Sequence, residues 1–173
     1  MKIAIVIGHN SKNKGSYSEH LKMTEFEFNS EVANSVNDAD VYFHNPTISS
    51  YRKRMKETAS RINKKKYDLV IFLHFNSFNT KATGVEVFYY RFNLKGKKYA
   101  SKLAKTSSNH TDLRNRGSKA MFKWMRGFWA LFYPKATCIL FEPFFGDNKT
   151  DCEKIESPEK VAEILNEFIV RND

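Results

Sequence analysis

Two cysteines, seven glycines and four prolines are few for a chain of 173 residues, and each scarcity excludes something. Cys138 and Cys152 form no CxxC pair, so the sequence encodes neither a disulfide framework nor a thiolate metal site, as suits a reducing compartment. Cys138 falls in an apolar run and reads as a small buried hydrophobe, whereas Cys152 reads as part of a polar loop. So little Gly and Pro rules out collagen-like and low-complexity chains. The longest apolar stretches, such as Asp68–Phe75, are too short to cross a bilayer. An export signal is also lacking, because the run Ile3–Ile7 ends at Gly8-His9-Asn10 with no small-residue cleavage site. Synthesis in the cytoplasm without a leader is the expectation. No repeat or linker divides the chain, so residues 1–173 are read as a single domain, able to bury roughly 70% of its unfolded surface.

Negative charge is scarce relative to positive: 29 Lys and Arg face 19 Asp and Glu, for a net +10. That surplus favours anionic partners, whether nucleic acid, anionic lipid or an acidic wall polymer, and names no reaction. Neither zinc-finger spacing nor an aromatic RNA-reading pattern occurs, so nucleic acid is not an expected partner. Half of the basic residues are what any solvated surface carries.

What is present is alternation of short apolar runs with helical periodicity, the pattern of an α/β domain. Strands are predicted at Ile3–Ile7, Asp40–Phe43, Leu69–Leu73, Val85–Tyr89 and Thr137–Phe141. Helices are predicted at Glu25–Val36, Ser49–Lys65 and Lys97–Ser107, and after Ser157 as N-cap with Pro158 at the first helical position. Crossovers of this length imply a mainly parallel, twisted sheet of five or six strands with helices on both faces. The aromatic-rich stretch Phe122–Pro134 is read as a helix covering the sheet and broken at Gly127, in preference to a sugar-stacking wall or a membrane-facing surface.

In open α/β sheets, ligands sit beyond the carboxyl ends of the parallel strands. Three predicted strands lead there to chemically capable residues: His9, His74 and Glu142. Two imidazoles and a carboxylate make an open catalytic zinc site, in which the metal acidifies a water and polarises a carbonyl. Amide hydrolysis needs a further carboxylate, not a ligand, to carry a proton from water to the leaving amine. Glu142, at the end of an apolar strand and before Pro143-Phe144-Phe145, suits that role because burial raises a carboxyl pKa. His9 and His74 are the ligand candidates, with His44 as a rival. The acidic ligand stays open among Glu19, Glu25, Glu27 and Glu86.

Taken together, these residues resemble zinc-dependent N-acetylmuramoyl-L-alanine amidases of the amidase-3 type, a family of bacterial autolysins and phage endolysin catalytic domains. The resemblance runs from Lys2 to Ile169. It rests on Gly8-His9-Asn10, on Glu25 ahead of Asn29, and on Leu73-His74-Phe75-Asn76-Ser77. It continues through Gly84-Val85-Glu86-Val87-Phe88-Tyr89-Tyr90, Asn115-Arg116-Gly117-Ser118-Lys119 and Leu140-Phe141-Glu142-Pro143-Phe144-Phe145, with Asn148 and Asp151. Two departures are Ile7 before Gly-His, where the family has an acid or small residue, and a glycine-poor loop Asn10–Tyr17.

The resemblance implies His9, Glu25 and His74 as ligands of one zinc ion, with Glu27 the competitor of Glu25, and Glu142 as the catalytic carboxylate. It implies peptidoglycan as substrate, cut between N-acetylmuramic acid and the L-alanine of the stem peptide. Asn76, Arg116 and Lys119 would meet the substrate, the two cations facing stem-peptide carboxylates. With neither leader nor wall-binding module in view, the expected setting is phage-induced lysis by a monomer. It would act on the wall after release, with an anionic wall polymer as an adsorption partner. Rival readings are a bacterial autolysin, another zinc hydrolase such as a peptidase or deacetylase, and a basic polyanion-binding module without catalysis.

Overall fold

The computed structural model describes Met1–Asp173. Its centre is a six-stranded sheet, in the order β4 (Ala39–Tyr42), β1 (Ile3–Ile7), β5 (Leu69–Leu73), β8 (Thr137–Glu142), β6 (Val85–Tyr90) and β7 (Asn115–Met121). The first four in that order run parallel. β6 runs antiparallel to β8, and β7 runs parallel to β6. A two-stranded hairpin, β2 (Tyr17–Ser18) with β3 (Met23–Thr24), stands apart.

Every residue of β1 and β5 is buried, as uninterrupted apolar strands require when helices cover both faces. Side chains alternate between two cores. Ile3, Ile5 and Ile7 join the larger, with α1 (Glu25–Asn34), α3 (Leu94–Thr111), α5 (Lys149–Ile155) and α6 (Pro158–Val170), on what is here termed the back face. Ala4 and Val6 join the smaller, with α2 (Tyr51–Ile62) and α4 (Phe128–Phe132), on the front face. No helix is long and apolar enough to cross a membrane.

The predicted single α/β domain with a mainly parallel sheet and helices on both faces is the fold observed, and the predicted strands are found within a residue at either end. Three local expectations are corrected, and one predicted N-cap is found without its side-chain bond. Asn115–Lys119, where no strand is predicted, is most of β7, where Gly117 (φ +81°) marks an irregularity that hides the strand period. Cys152 is not in a polar loop but buried on α5. The Phe122–Pro134 stretch holds one short helix, α4, that begins after Gly127 (φ +92°), and it divides in two. Phe128, Ala130 and Leu131 enter the front core, while Trp124 is 78% exposed. Ser157 stands at the N-cap position of α6, yet its side chain does not bond the helix backbone.

One buried carboxylate ties the sheet to α5. Asp151 is fully buried and accepts from the Thr83 hydroxyl, from the Gly84 N–H at 3.0 Å and from the Phe145 N–H at 2.9 Å. It thereby pins the start of β6 against the loop that follows β8. Asp151→Ala would strand two backbone donors out of water, and a loss of about 3 kcal/mol is expected in denaturant unfolding with an unchanged m-value.

Candidate metal centre and paired glutamates

The carboxyl ends of β1, β5 and β8 are adjacent and parallel, and there the residues singled out from the sequence converge. His9 follows β1, His74 follows β5, and Glu142 closes β8. Glu25 arrives from elsewhere, as the first residue of α1, which Thr24 caps.

Glu25 is 3% exposed and fully engaged. One oxygen lies 2.8 Å from His74 Nδ1 and accepts from the Phe75 N–H at 3.2 Å. The other lies 3.0 Å from His9 Nε2 and 3.5 Å from the Ser16 N–H. Burial pushes the Glu25 carboxyl up, but the hydrogen bonds from His74 and His9 and the charge on those rings outweigh it and hold the pKa at about 2. The donor atoms of His9, Glu25 and His74 all lie within 4.8 Å of one another, so the cluster could hold a metal ion.

The backbone is shaped around that cluster. A Cβ on Gly15, at φ +78°, would stand 2.7 Å from a Glu25 oxygen and 2.8 Å from His9 Nε2. A Cβ on Gly8 would come within 2.7 Å of His74 Nδ1. His9 itself adopts φ +64°, a conformation that a non-glycine residue rarely takes without a reason. Two imidazoles and an ionised carboxylate, with small residues where a side chain would fill the cradle, fit a divalent ion of intermediate softness.

The rival donors are occupied elsewhere. Glu27 caps α1 in a reciprocal bond with Thr24 and meets Lys14 at 2.6 Å, and these contacts hold its pKa at about 2. Glu19 pairs with Lys22 on the surface. His44 is buried between β4 and α2, bonds the Thr58 hydroxyl at 2.8 Å and stacks near Phe72. Burial, aided by the positive charges of His74, Arg54 and Arg61, lowers the His44 pKa to about 3. It belongs to the core.

Glu86 has a place that spacing alone did not reveal. The antiparallel register sets it directly across from Glu142. It is 5% exposed and accepts from Asn76 Nδ2 at 2.7 Å, from Arg116 Nε at 2.7 Å and from the Lys119 ammonium. Burial alone would raise its pKa, but Lys119 and Arg116 lower it. The three residues expected to meet substrate thus gather on one carboxylate. Residues three apart in a regular strand would face opposite ways, and the register shift between Val85 and Val87 lets both Arg116 and Lys119 reach it.

Glu142 is treated oppositely. Its Oε2 is buried and has no hydrogen-bond partner. Burial, then the negative charges of Glu25 and Glu86, push its carboxyl well above the ordinary 4.5. In the metal-free protein the folded state therefore binds this proton more tightly than the unfolded chain does. Stability contributed by the protonated group is lost as pH rises from the ordinary value through the raised one. Glu142→Gln is expected to raise the Tm of chelator-treated protein at pH 7, with the gain closing toward pH 4; a gain independent of pH would contradict the assignment.

The profile of the N-acetylmuramoyl-L-alanine amidase family matches residues 3–170. No curated protein sequence matches the chain. Among solved structures, the catalytic domain of the CD27L endolysin targeting Clostridia difficile is 28% identical, covers 99% of this chain and 97% of its own, and superposes with a TM-score of 0.82. The N-acetylmuramoyl-L-alanine amidase of Clostridium difficile 630 is 22% identical, with 98% and 95% covered and a TM-score of 0.80. The catalytic domain of CwlV, the amidase of Bacillus (Paenibacillus) polymyxa var. colistinus, is 18% identical, with 99% and 98% covered and a TM-score of 0.74. The last two carry the likeness of fold alone. With the family profile spanning nearly its whole length, this chain belongs to the N-acetylmuramoyl-L-alanine amidase family.

Proposed function

We propose that the protein is a zinc-dependent peptidoglycan hydrolase that cleaves the amide between N-acetylmuramic acid and L-alanine, in the setting of phage-induced lysis. The observation that carries the chemistry is the convergence of His9, Glu25 and His74 beside an unpartnered Glu142. Likeness to an endolysin catalytic domain over 99% of the chain supports the setting.

His9, Glu25 and His74 would hold the ion, Glu25 entering already ionised and the ring nitrogens that face it, His74 Nδ1 and His9 Nε2, giving up any proton in order to bind. Zinc, when bound there, supplies an acidified water and a Lewis acid for the carbonyl. Glu142 takes the proton of the attacking water on its unpartnered oxygen and delivers it to the departing L-alanine nitrogen. A carboxylate with a raised pKa accepts a proton readily near neutrality, as this two-way transfer requires. Arg116 and Lys119 share the single charge of Glu86, which leaves one positive charge in excess beside Glu142. That excess suits a carboxylate of the stem peptide.

The test is release of new L-alanine amino termini from purified walls without new reducing sugar ends. Chelator is expected to abolish release and added zinc to restore it. Glu142→Gln is expected to cut turnover by about 10³-fold while zinc still binds in a one-to-one ratio. Undiminished release from that variant would exclude Glu142 as the proton carrier.

A further inference from the structure

A cluster that the cleavage chemistry does not use lies on the front face, reached along β6. Strand alternation puts Glu86, Phe88 and Tyr90 in one row. Glu86 faces Glu142; the Lys119 ammonium sits 5.9 Å from the Phe88 ring; Tyr90 packs edge-on against Phe128 and Phe132. At the far end of this row opens a cavity of about 500 Å³, walled by Tyr90, Phe92, Trp124, Phe128, Trp129 and Phe132. Its charged members are Arg52, Arg91 and Lys123, and no carboxylate lines it.

The walls are ordered by contacts among themselves. Trp124 is 78% exposed, yet stacks on Phe122 at 4.9 Å. The Arg52 guanidinium lies 4.3 Å above the Trp129 ring, and that of Arg91 lies 4.0 Å above Phe92. Phe92 is 67% exposed, so core packing accounts for neither it nor Trp124. Flat aromatic faces suit the C–H faces of sugar rings, and guanidinium forks suit carboxylates.

We propose that this pocket is a glycan subsite that holds a carboxylate-bearing amino sugar of the strand whose muropeptide occupies the catalytic centre. The inference rests on the amidase reading above. Hydrolysis of the muramoyl amide takes up one water and leaves a lactyl carboxylate on the sugar and an ammonium on L-alanine. The carboxylate that the pocket's cations recognise is therefore made by the reaction itself. Glu86 and Tyr90 are four residues apart, roughly 13 Å along the strand. A continuous polymer crossing the catalytic centre can reach a second site at that distance. Sugars already stripped of peptide would then hold the enzyme on the strand it is degrading. An anionic membrane also attracts aromatic and basic residues. A concave pocket of about 500 Å³ fits a discrete ring better than a lipid surface.

Both tryptophans of the chain, Trp124 and Trp129, line the pocket, so intrinsic fluorescence of the intact zinc-loaded protein reads binding directly. Three probes are compared: a soluble peptide-free oligosaccharide of alternating N-acetylglucosamine and N-acetylmuramic acid, an N-acetylglucosamine oligosaccharide, and phosphatidylglycerol vesicles. A saturable change with the first is expected, at least about tenfold weaker with the second. Trp124→Ala and Arg91→Ala are expected to weaken binding and raise KM on whole walls about tenfold, while turnover of a single soluble muramoyl-peptide unit stays unchanged. No saturable response to the muramic oligosaccharide, equal response to the neutral one, or response to vesicles alone would overturn the subsite. Failure of the unaltered protein to cut the soluble unit would instead overturn the amidase reading, since binding is measured separately.

Discussion

Everything at the carboxyl edge of the sheet depends on one buried charge, the Glu25 carboxylate. An ionised carboxylate at 3% exposure is tolerated only when its oxygens are fully partnered. Those partners come from three separate segments: His9 after β1, Ser16 in the loop beyond it, and His74 with Phe75 after β5. The position of Glu25 at the start of α1 adds the favourable field of a helix N-terminus. Satisfying that single group draws two imidazoles to within reach of one ion. Gly8 and Gly15 are small because a side chain at either would collide with the result.

The second constraint is the contrast between two glutamates placed opposite each other by strand register. Glu86 is saturated by Asn76, Arg116 and Lys119, whereas Glu142 leaves a buried oxygen without a partner. Environment divides the two carboxyls into one that stays ionised and one that holds a proton well above the usual range. That division follows from β6 running antiparallel to β8, and Asp151 fixes where β6 begins. A stability element remote from the metal cluster thus sets the environment of both carboxyls.

Much of this was legible in the sequence because it follows strand ends. Ile3–Ile7, Leu69–Leu73 and Thr137–Glu142 are apolar runs that stop at a polar residue, and adjacency of their parallel strands brings His9, His74 and Glu142 together. The choice of Glu25 over Glu27 was not legible from periodicity, since both stand in the first turn of α1. It is decided by the capping box, which engages Glu27. The role of Glu86 was hidden because β6 reverses direction, and β7 was hidden because Gly117 breaks its alternation. The lone glycine between His9 and Glu25, Gly15, was the sequence signal for a close backbone approach that spacing did not weigh.

The proposed chemistry requires His9, Glu25 and His74 to form one metal centre. Anomalous diffraction at the zinc edge, from crystals of the protein grown with zinc, tests it most directly. A single strong peak is expected, bonded to His9 Nε2, His74 Nδ1 and the Glu25 carboxylate. A peak on His44 or Glu27, or full occupancy at any site that omits these three residues, would contradict it.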